Sequence, residues 1–571
     1  MGDFIKTQNS FSNGEVSSQF YAHDNINGLS VLENMDVLAG GGLSRRAGLR
    51  RVAGLPDVGR LISFSVADDR DYILALSDGY MDIFYNNELS QHLPTPWDKD
   101  SLAKLQFAQR FGTMIFVHPD FVPQTLRYND DSFILSDFSF ARGDDDMSLY
   151  IPFMKFDDAS DIKITVSSNT SGTNYATLTT NSDFWTAENV GGRLFLLDRQ
   201  WLITEYVNPT QVVAYTNGAY TVPSTAISDW REAAFGTRRG WPCSITFHQD
   251  RLVFGGSRTW PSGVWMSAVG AHNNFNTGTG LDDEAISLTL LSQQRQQICT
   301  VVSSDNLQIL TTTGEWAISS KPLTPSSVDI KQHTSVGSIS ARYLAPQKIE
   351  GATVFIAATG RDIRELSLDA LGENYNANDL CAYAKHLMQS PIDMAYNDAT
   401  RRLFVVRDDG VMAVLNQNSS LGISAWGTYT TQGKFLSVAV CNDKTYVAVS
   451  RDDGVYLEYF DDSALSDATS YNFSFTAAAL PLRVSNHNVR RLRIRKISAR
   501  VLDTKTISIN GCHIVLPNEI YDDGNSGYSG DVFKSQLGTT HETIFAPWRI
   551  HGCAPQPITV LSVTIYGWYT V

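Results

Sequence analysis

The chain contains 571 residues, of which 43% are hydrophobic and 18% charged, and its formal net charge is −15. This composition excludes an intrinsically disordered protein, and the length is sufficient to bury several large cores. The aromatic fraction of 11% and the low charge content favour a β-rich architecture.

Residues 1–60 show little helical periodicity and contain three consecutive glycines at positions 40–42. A basic cluster follows, formed by Arg45, Arg46, Arg50 and Arg51. Two interpretations stay open. The guanidinium groups can bind carboxylates or phosphates, or the segment is a loop whose arginines are solvated.

The most informative feature is a local pattern that occurs seven times: a short apolar strand, a polar turn usually carrying glycine, and a second apolar strand. It is clearest at residues 72–84, 403–415 and 445–460. One such hairpin cannot bury its apolar face, so a regular set of them indicates a propeller or a stacked array.

The repeats occur in two groups. Two lie at residues 61–86 and 104–128, and the starts of the other five are spaced by roughly 50 residues, about the length of a four-stranded propeller blade. These five begin near Cys243, Ile298, Tyr343, Ile392 and Phe435. The predicted fold is all-β: a β-propeller of about seven blades (six to eight fit the spacing), with an inserted small β domain and a C-terminal β-sandwich or barrel-like domain.

The predicted organisation has five parts. In chain order these are an N-terminal segment (1–60), the first part of the propeller (61–139), an inserted β domain (140–241), the second part of the propeller (242–462) and a C-terminal β domain (463–571).

Residues 228–234 (SDWREAA) predict one short helix. Residues 489–500 (VRRLRIRKISAR) predict a strand with a basic face, which is either a solvated or salt-bridged surface or a nucleic-acid patch.

Glycine-containing acidic turns recur at the same place in the repeats. Asp78-Gly79, Asp409-Gly410 and Asp453-Gly454 predict tight turns in which glycine adopts positive φ. The acidic run Asp282, Asp283 and Glu284 has three interpretations: a carboxylate pair for glycoside hydrolysis, a cation site, or an ordinary turn, which Asp and Gly clusters usually build. The Arg-Gly-Asp triplet at 142–144 is either an adhesion motif or a chance occurrence, and chance is the favoured interpretation.

Motifs of enzyme chemistry are not found. The sequence contains no G-x-S-x-G, H-E-x-x-H or G-x-x-x-x-G-K-[ST] pattern, and His248 is interpreted as a structural histidine. We therefore assign no catalytic, cofactor-binding or metal-ligating residue and expect a protein that is not an enzyme.

The N-terminus has no signal-peptide pattern, and no apolar run is long enough to span a membrane. Six widely spaced cysteines are expected to be reduced and mostly buried.

Several segments, in this order along the chain, resemble the tail tubular or nozzle proteins of short-tailed (podovirus-type) bacteriophages. They are residues 12–20 (SNGEVSSQF), 34–52 (NMDVLAGGGLSRRAGLRRV), 240–319, 361–369 (RDIRELSLD) and 376–387 (NANDLCAYAKHL). The resemblance covers most of residues 1–465 and extends loosely to RKISARVLDT from Arg495. The insertion at 140–240 and the C-terminal domain depart from the family.

The resemblance implies a structural virion protein made in the host cytoplasm. Such proteins form a homohexameric ring with a propeller on each subunit, at the distal end of the tail, and serve as the conduit for genome ejection. The implied partners are further copies of the chain, an adaptor or head–tail connector protein onto which residues 1–60 dock, tail fibre or spike proteins, and double-stranded DNA in transient contact. Two alternatives stay open: a propeller-type glycan-binding or glycan-degrading tail protein, and a propeller scaffold for protein partners.

Overall fold

The structure, a computed structural model, describes the chain except residues 1, 22–25, 68–69, 144–146, 168–173, 219, 482–490, 522–525, 536–538, 541–545 and 571. The chain forms two compact units. The terminal unit comprises Met1–Pro94 and Leu344–Val571, and the middle unit comprises Thr95–Tyr343.

Strands account for most of the regular structure. Those of residues 1–94 are β1 (Gly2–Gln8), β2 (Gly14–Glu15), β3 (Gly28–Glu33), β4 (Met35–Val37), β5 (Leu43–Arg45), β6 (Gly48–Leu55), β7 (Arg60–Ala67), β8 (Arg70–Ser77), β9 (Tyr80–Tyr85) and β10 (Glu88–Pro94). Those of residues 95–343 are β11 (Gln106–Arg110), β12 (Thr113–His118), β13 (Phe121–Asn129), β14 (Ser132–Asp137), β15 (Phe153–Met154), β16 (Ile164–Val166), β17 (Tyr175–Thr180), β18 (Arg193–Leu196), β19 (Arg199–Asn208), β20 (Gln211–Tyr215), β21 (Trp230–Ala233), β22 (Pro242–His248), β23 (Arg251–Ser257), β24 (Gly263–Met266), β25 (Ile286–Thr289), β26 (Ile298–Ser303), β27 (Leu307–Thr311), β28 (Glu315–Ile318) and β29 (Ile330–Thr334).

The remaining strands belong to the second part of the terminal unit. They are β30 (Gln347–Ile349), β31 (Ala352–Ile356), β32 (Ile363–Leu368), β33 (Tyr375–Asp379), β34 (Pro391–Asn397), β35 (Arg402–Arg407), β36 (Met412–Asn418), β37 (Ile423–Tyr429), β38 (Lys434–Cys441), β39 (Lys444–Arg451), β40 (Gly454–Asp461), β41 (Phe475–Ala479), β42 (Arg491–Thr504), β43 (Ile507–Ile509), β44 (Cys512–Ile514), β45 (Tyr528–Ser535), β46 (Thr539–Thr540), β47 (Arg549–Gly552) and β48 (Thr559–Thr570).

Helices are short. The 3-10 helices are Ser18–Phe20, Ser101–Lys104, Asp157–Ala159, Ala187–Asn189, Lys385–Leu387 and Ser419–Leu421, and α1 is Pro517–Tyr521. No helix in the described part of the chain has the length and apolar character needed to cross a membrane.

The repeating element of both units is an antiparallel group of four strands, the blade of a β-propeller. The terminal unit contains four blades: β7–β10, β30–β33, β34–β37, and β38–β40 with β6. The middle unit contains three: β11–β14, β22–β25 and β26–β29. Inner strands such as β31 and β35 are buried nearly throughout. These seven described blades confirm the predicted all-β propeller fold.

One blade is completed by a strand from a distant part of the sequence. β6 pairs antiparallel with β40, so Leu49 lies opposite Phe460 and Arg51 opposite Glu458. Residues 434–461 supply the other three strands. The predicted segment 1–60 thus contributes the outer strand of a blade, and its strands β1–β5 lie in two further sheets.

A two-sheet β-sandwich fills the rest of the terminal unit. One sheet has the order β4-β5-β48-β42-β45, with β1 on β48 and β46 on β42. The other sheet joins β2, β3, β41, β47, β43 and β44 to β37, so one ten-stranded sheet runs from the blade β34–β37 into the sandwich. A single core lies between the two sheets, with Leu32, Phe475 and Ile550 on one side and Ile497 and Val563 on the other. The predicted C-terminal sandwich is present, and it includes N-terminal strands.

The inserted segment forms a separate seven-stranded sheet in the middle unit, in the order β15-β21-β18-β19-β20-β17-β16. Its core contains three fully buried tryptophans, Trp185, Trp201 and Trp230. The prediction of a helix at 228–234 was wrong, because residues 230–233 form β21, which pairs with β15 and β18. Nucleating one helical turn is costly, whereas the strand buries Trp230 and lets its indole N–H donate to the Ile162 carbonyl at 2.9 Å.

The Asp-Gly turns have the predicted backbone conformation. Gly79, Gly410 and Gly454 have φ of 76°, 88° and 147°. A Cβ at Gly410 would lie 2.5 Å from the Lys434 Cβ, whereas a Cβ at Gly79 would meet nothing within 4 Å. Glycine is therefore required at 410 for both conformation and space, and at 79 for conformation alone.

The cysteines mostly follow the prediction. All six are free thiols: Cys243, Cys381 and Cys441 are buried, Cys299 and Cys512 are half-buried, and Cys553 is exposed. The exposed Cys553 differs from the expected buried position because it lies in the turn that follows β47.

Candidate functional site

The basic cluster of the N-terminal segment builds a buried ionic joint. Arg46 and Asp467 are both completely buried and form a bidentate pair, with Nη1–Oδ1 and Nη2–Oδ2 distances of 3.0 and 2.8 Å. The Arg46 side chain also lies over the Phe473 ring, 3.6 Å from its centroid. Such a pair is costly to bury unless every remaining donor is satisfied.

All five Arg46 N–H donors have an acceptor. Besides the two bonds to Asp467, the guanidinium donates to the Ala47 carbonyl at 2.8 Å, the Thr430 carbonyl at 2.9 Å and the Asn34 Oδ1 at 2.8 Å. Asn34 has φ of 54°, and its Nδ2 donates to the Ser474 carbonyl at 2.6 Å. The pair therefore meets the condition under which buried charges are tolerated.

A second buried pair connects to the first through a threonine. Arg451 donates to both Glu458 oxygens at 2.8 and 2.5 Å, and neither side chain is exposed. Arg451 also donates to Thr431 Oγ1 at 3.3 Å, and that hydroxyl donates to Asp467 at 2.7 Å. We call Asn34, Arg46, Thr431, Arg451, Glu458 and Asp467 the junction network.

A third buried carboxylate lies on β4. Asp36 accepts a hydrogen bond from the Tyr429 hydroxyl and pairs with Arg402 at 3.1 Å. Burial, and secondarily the Asp36 charge, raises the pKa of Tyr429 well above its ordinary value. The phenol therefore stays protonated and fixes β4 to the blade β34–β37.

The other arginines of the cluster also have partners within the terminal unit. Arg45 lies over the Phe473 ring at 4.1 Å, Arg50 pairs with Asp461, and Arg51 lies 3.5 Å over the Tyr456 ring. Of the two interpretations left open, carboxylate binding is right for Arg46 and Arg50. The segment is not a loop, because Arg45, Arg50 and Arg51 lie on strands. Arg45 and Arg46 are buried, whereas Arg50 and Arg51 are exposed to solvent.

A cleft of about 420 Å³ lies beside the junction network. Phe404, Tyr429 and Phe460 form its floor, and Arg402 and Lys444 are among its polar lining residues. The three aromatic rings pack against one another and belong to the core of the two adjoining blades, which makes the floor a structural element.

One group of potential metal ligands lies in the described residues: Asp362, Asp379 and Cys381. The Lys385 ammonium is 2.8 Å from Asp362 Oδ1 and 2.9 Å from Asp379 Oδ2, and the Arg364 guanidinium is 3.8 Å from Asp379 Oδ2, so two cations already balance the two carboxylates. Burial raises the pKa of the Cys381 thiol to about 12, which opposes formation of a thiolate ligand. The arrangement is that of an ion pair that fixes the Lys385–Leu387 turn to the blade β30–β33.

The acidic run at 282–284 forms a turn, as favoured from the sequence. The Glu284 carboxylate accepts backbone N–H bonds from Thr279, Gly280 and Leu281 at 2.8, 2.6 and 2.8 Å. These bonds hold the pKa of Glu284 below its ordinary value. The buried Arg251 side chain donates to the Asp282 and Glu284 carbonyls and completes the turn.

The remaining sequence candidates have structural positions. His248 is buried and its Nδ1 lies 3.0 Å from the Ser303 hydroxyl, as expected of a structural histidine. The segment 489–500 contributes most of β42, with Arg493, Arg495 and Arg500 exposed, and Arg500 pairs with Asp531 at 2.9 Å. Of the Arg-Gly-Asp triplet, Asp144 lies outside the described residues.

A larger pocket in the middle unit was not predicted from the sequence. Its volume is about 540 Å³, and it lies between β12–β14 and residues 247 and 270–273. Arg110, Phe111, Arg127, Asp137 and His272 are among its lining residues. One feature of the sequence could have indicated this pocket. Phe111 lies at the tip of a hairpin, where a polar residue or glycine is usual.

Comparisons with known proteins add little. No protein-family model matches the chain, and no curated protein matches its sequence. Among solved structures, the chain is similar to the computationally designed Ika8 protein (9% identity, TM-score 0.36, covering 73% of this chain and 100% of that one). It is also similar to the WD40 repeats of RRP9 (8%, 0.35, 73% and 99%) and the WD40 domain of Neurospora crassa Pan2 (10%, 0.31, 73% and 95%). At these TM-scores the likeness carries no argument about function, and the propeller assignment rests on the blades themselves.

Proposed function

We propose that the chain is a structural subunit of a phage tail nozzle, which assembles into a hexameric ring and conducts the genome during ejection. The observation that carries the proposal is the position of the family-like segments. Residues 34–52 supply Asn34 and Arg46 of the junction network, and residues 376–387 supply Asp379 and Lys385 of a partly exposed ion pair. In both segments the charged residues serve as joints of the scaffold.

The continuous sheet supports a mechanical role. The blade β34–β37 and the sandwich share one hydrogen-bonded sheet of ten strands, and β6 fastens the blade that follows. The junction network ties these elements together with charge-assisted hydrogen bonds, which are stronger than neutral ones. A subunit that must stay folded while DNA passes under pressure benefits from sheets that are joined by continuous hydrogen bonding and by buried ion pairs.

Only part of residues 1–60 is a candidate for the proposed contact with the adaptor. Strands β1–β6 are engaged inside the terminal unit, whereas Ala39 and Gly40, at the tip between β4 and β5, are exposed. We propose this tip as the adaptor contact. Substituting Gly40 by Trp, where an added Cβ would meet nothing within 4 Å, is expected to leave the fold intact and to weaken binding to the adaptor ring.

The net charge of −15 favours a channel through which DNA slides over a protein that binds DNA tightly. Duplex DNA carries about one negative charge per 1.7 Å, so an acidic protein binds it weakly and the duplex slides. Fluorescence anisotropy of a labelled duplex is expected to show weak binding that falls steeply with added salt. Tight binding at physiological salt would contradict the conduit.

Assembly tests the proposal separately from DNA binding. Light scattering coupled to size exclusion is expected to give a particle of six times the chain mass, either alone or after addition of the adaptor ring. A monomer that stays monomeric with the adaptor would overturn the proposal and favour a propeller scaffold for other partners.

A further inference from the structure

One sheet of the sandwich, which contains β1, β48, β42 and β45, has a face turned away from the core. Ile494 and Ile497 of β42 are buried between the two sheets, and the pairing register shifts by one residue after Ile494. Arg493 and Lys496 therefore both lie on the outward face, since side chains alternate along a strand. We call six larger side chains of this face the outer patch: Ile5, Arg493, Lys496, Phe533, Tyr566 and Trp568.

The outer patch exposes apolar surface on neighbouring strands. Ile5 is 70% exposed and Phe533 is 57% exposed, and Tyr566 and Trp568 are half-buried. Ile5 lies directly opposite Tyr566 in the pairing of β1 with β48. A single exposed apolar residue needs no explanation, whereas several on one face of a sheet indicate a contact surface. Aromatic residues and arginine are also the types that protein interfaces contain in excess.

The outer patch is positively charged as well. Arg493 is exposed, and neither Arg493 nor Lys496 forms an ion pair among the residues that the structure describes. The Lys496 ammonium lies over two aromatic rings, 4.4 Å from the Phe533 centroid and 5.4 Å from the Tyr566 centroid. Two cations without a carboxylate partner favour the approach of an acidic surface.

The surrounding side chains favour a protein over a nucleic acid as the acidic partner. Arg500 donates to both Asp531 oxygens at 2.9 and 3.0 Å, and Arg495 lies 3.8 Å from Asp3, so these two arginines are already neutralised. Single-stranded nucleic acids bind by stacking bases on free aromatic faces, and here Lys496 already lies over two of the rings. A carboxylate-bearing protein surface needs neither the missing cations nor the covered rings.

A second copy of this chain offers such a surface. The chain has a net charge of −15, so the surface outside this positive patch is acidic on the whole. A two-fold contact of one patch with another would bring like charges together, which is unfavourable. The patch must therefore meet a different surface of the next copy. Such a head-to-tail contact generates a ring when its rotation closes.

We propose that the outer patch is the contact between subunits of the ring, where it packs against an acidic surface of the next copy of the chain. The inference rests on the proposed assembly and names the surface that forms it. The aromatic rings and Ile5 supply the buried centre of the contact, where a few large side chains carry most of the binding energy. Arg493 and Lys496 set its orientation through complementary charge.

Sedimentation velocity of the full chain over a range of concentrations tests the contact, with the adaptor ring present if the chain alone stays monomeric. Arg493→Glu/Lys496→Glu reverses both charges, and we expect the concentration needed for half-assembly to rise about tenfold or more. Phe533→Ser removes an exposed ring and leaves the core intact, and should weaken assembly in the same way. Added salt should weaken assembly of the parent chain, because it screens exposed charges.

Lys348→Glu/Arg361→Glu is the matched control. It makes the same change in net charge at two exposed cations of the terminal unit, both in the blade β30–β33. This variant should assemble as the parent chain does. The thermal midpoint of each variant shows whether its fold is intact, and Phe533→Ser keeps the test decisive if the doubly reversed chain does not fold.

Chemical cross-linking identifies the opposing surface. Light and heavy isotope-labelled chains are mixed in equal amounts before assembly and treated with a carbodiimide, which joins an amine directly to a carboxylate. We expect Lys496 to be linked to an aspartate or glutamate of a chain of the other isotope, at a position outside β1, β42, β45 and β48. Links from Lys496 only within one chain, or to Asp3 or Asp531 of the other chain, would overturn the head-to-tail contact.

The outcomes separate this inference from the nozzle proposal. A six-subunit particle that forms equally well from the parent chain and both patch variants overturns the contact and leaves the nozzle proposal standing. Patch-dependent assembly into another number of subunits supports the contact and contradicts the nozzle. A chain that stays monomeric with the adaptor overturns both. DNA binding that Arg493→Glu/Lys496→Glu abolishes, with assembly unchanged, would show a nucleic-acid surface in place of the subunit contact.

Discussion

Removing one member of the Arg46–Asp467 pair should destabilise the terminal unit strongly. Asp467 accepts two bonds from Arg46 and one from Thr431, and both charged side chains are completely buried. Asp467→Ala leaves a buried guanidinium with two unpaired donors. Breaking a buried pair in this way costs about 3–5 kcal/mol.

Replacing both members tests whether this cost comes from the orphaned charge. The double variant Arg46→Met/Asp467→Leu removes both charges and restores apolar volume, so it should lose much less stability than Asp467→Ala alone. Arg500→Ala is the control, because the Arg500–Asp531 pair is exposed and its loss should leave stability unchanged within error.

Urea unfolding with hydrogen exchange by mass spectrometry provides the assay. Two compact units are expected to unfold in two transitions, and the loss of stability should fall on the transition of the terminal unit. Exchange should accelerate in β6, which follows Arg46 directly. A cost below about 1 kcal/mol for Asp467→Ala, or unchanged exchange in β6, would refute the assignment of the network as a joint.

Three further predictions follow from single sites. Gly410→Ala should lower the thermal midpoint more than Gly79→Ala, since both force a non-glycine residue into positive φ (about 1–2 kcal/mol) but only the first adds a steric clash; equal losses would contradict this. Burial raises the pKa of Glu315, so the folded state binds a proton more tightly than the unfolded state and stability falls as the pH rises above the ordinary glutamate range. Glu315→Gln should flatten that fall, as unfolding midpoints measured at a series of pH values would show. A thiol reagent should label the exposed Cys553 first, since burial raises the pKa of Cys243 to about 12, and Cys553→Ser should abolish the fast phase.

Local features of the fold were predictable from the sequence because they depend on neighbouring residues. The alternation of apolar and polar residues around Asp409-Gly410 specifies two strands and a turn with positive φ, and the structure has all three. The spacing of the repeats placed the starts of β22, β26, β30, β34 and β38 within a few residues. A propeller is therefore predictable from local sequence, because it is built from hairpins that follow one another along the chain.

Long-range pairing was not predictable. β6 joins a blade whose other strands lie some 400 residues later, and Arg46 meets Asp467, 421 residues away. Nothing in the sequence around Arg46 distinguishes it from Arg50, which is exposed. The predicted helix at 228–234 failed for the same reason, because pairing with β18 decides its conformation.

The candidate sites also differ in whether local sequence is enough to predict them. The turn around Glu284 was favoured from local composition, and its three backbone bonds are local. The pocket beside Phe111 is built from four stretches of sequence, residues 110–115, 125–139, 247 and 270–273, and only the fold brings them together. The absence of catalytic residues stays a prediction.

Images of the purified protein test the central proposal most directly. Negative-stain electron microscopy, with the adaptor ring added if the chain alone does not assemble, should show six-fold particles with a central pore wide enough for a DNA duplex. Class averages that show single subunits under both conditions, or closed particles without a pore, would contradict the assignment of this chain as a tail nozzle.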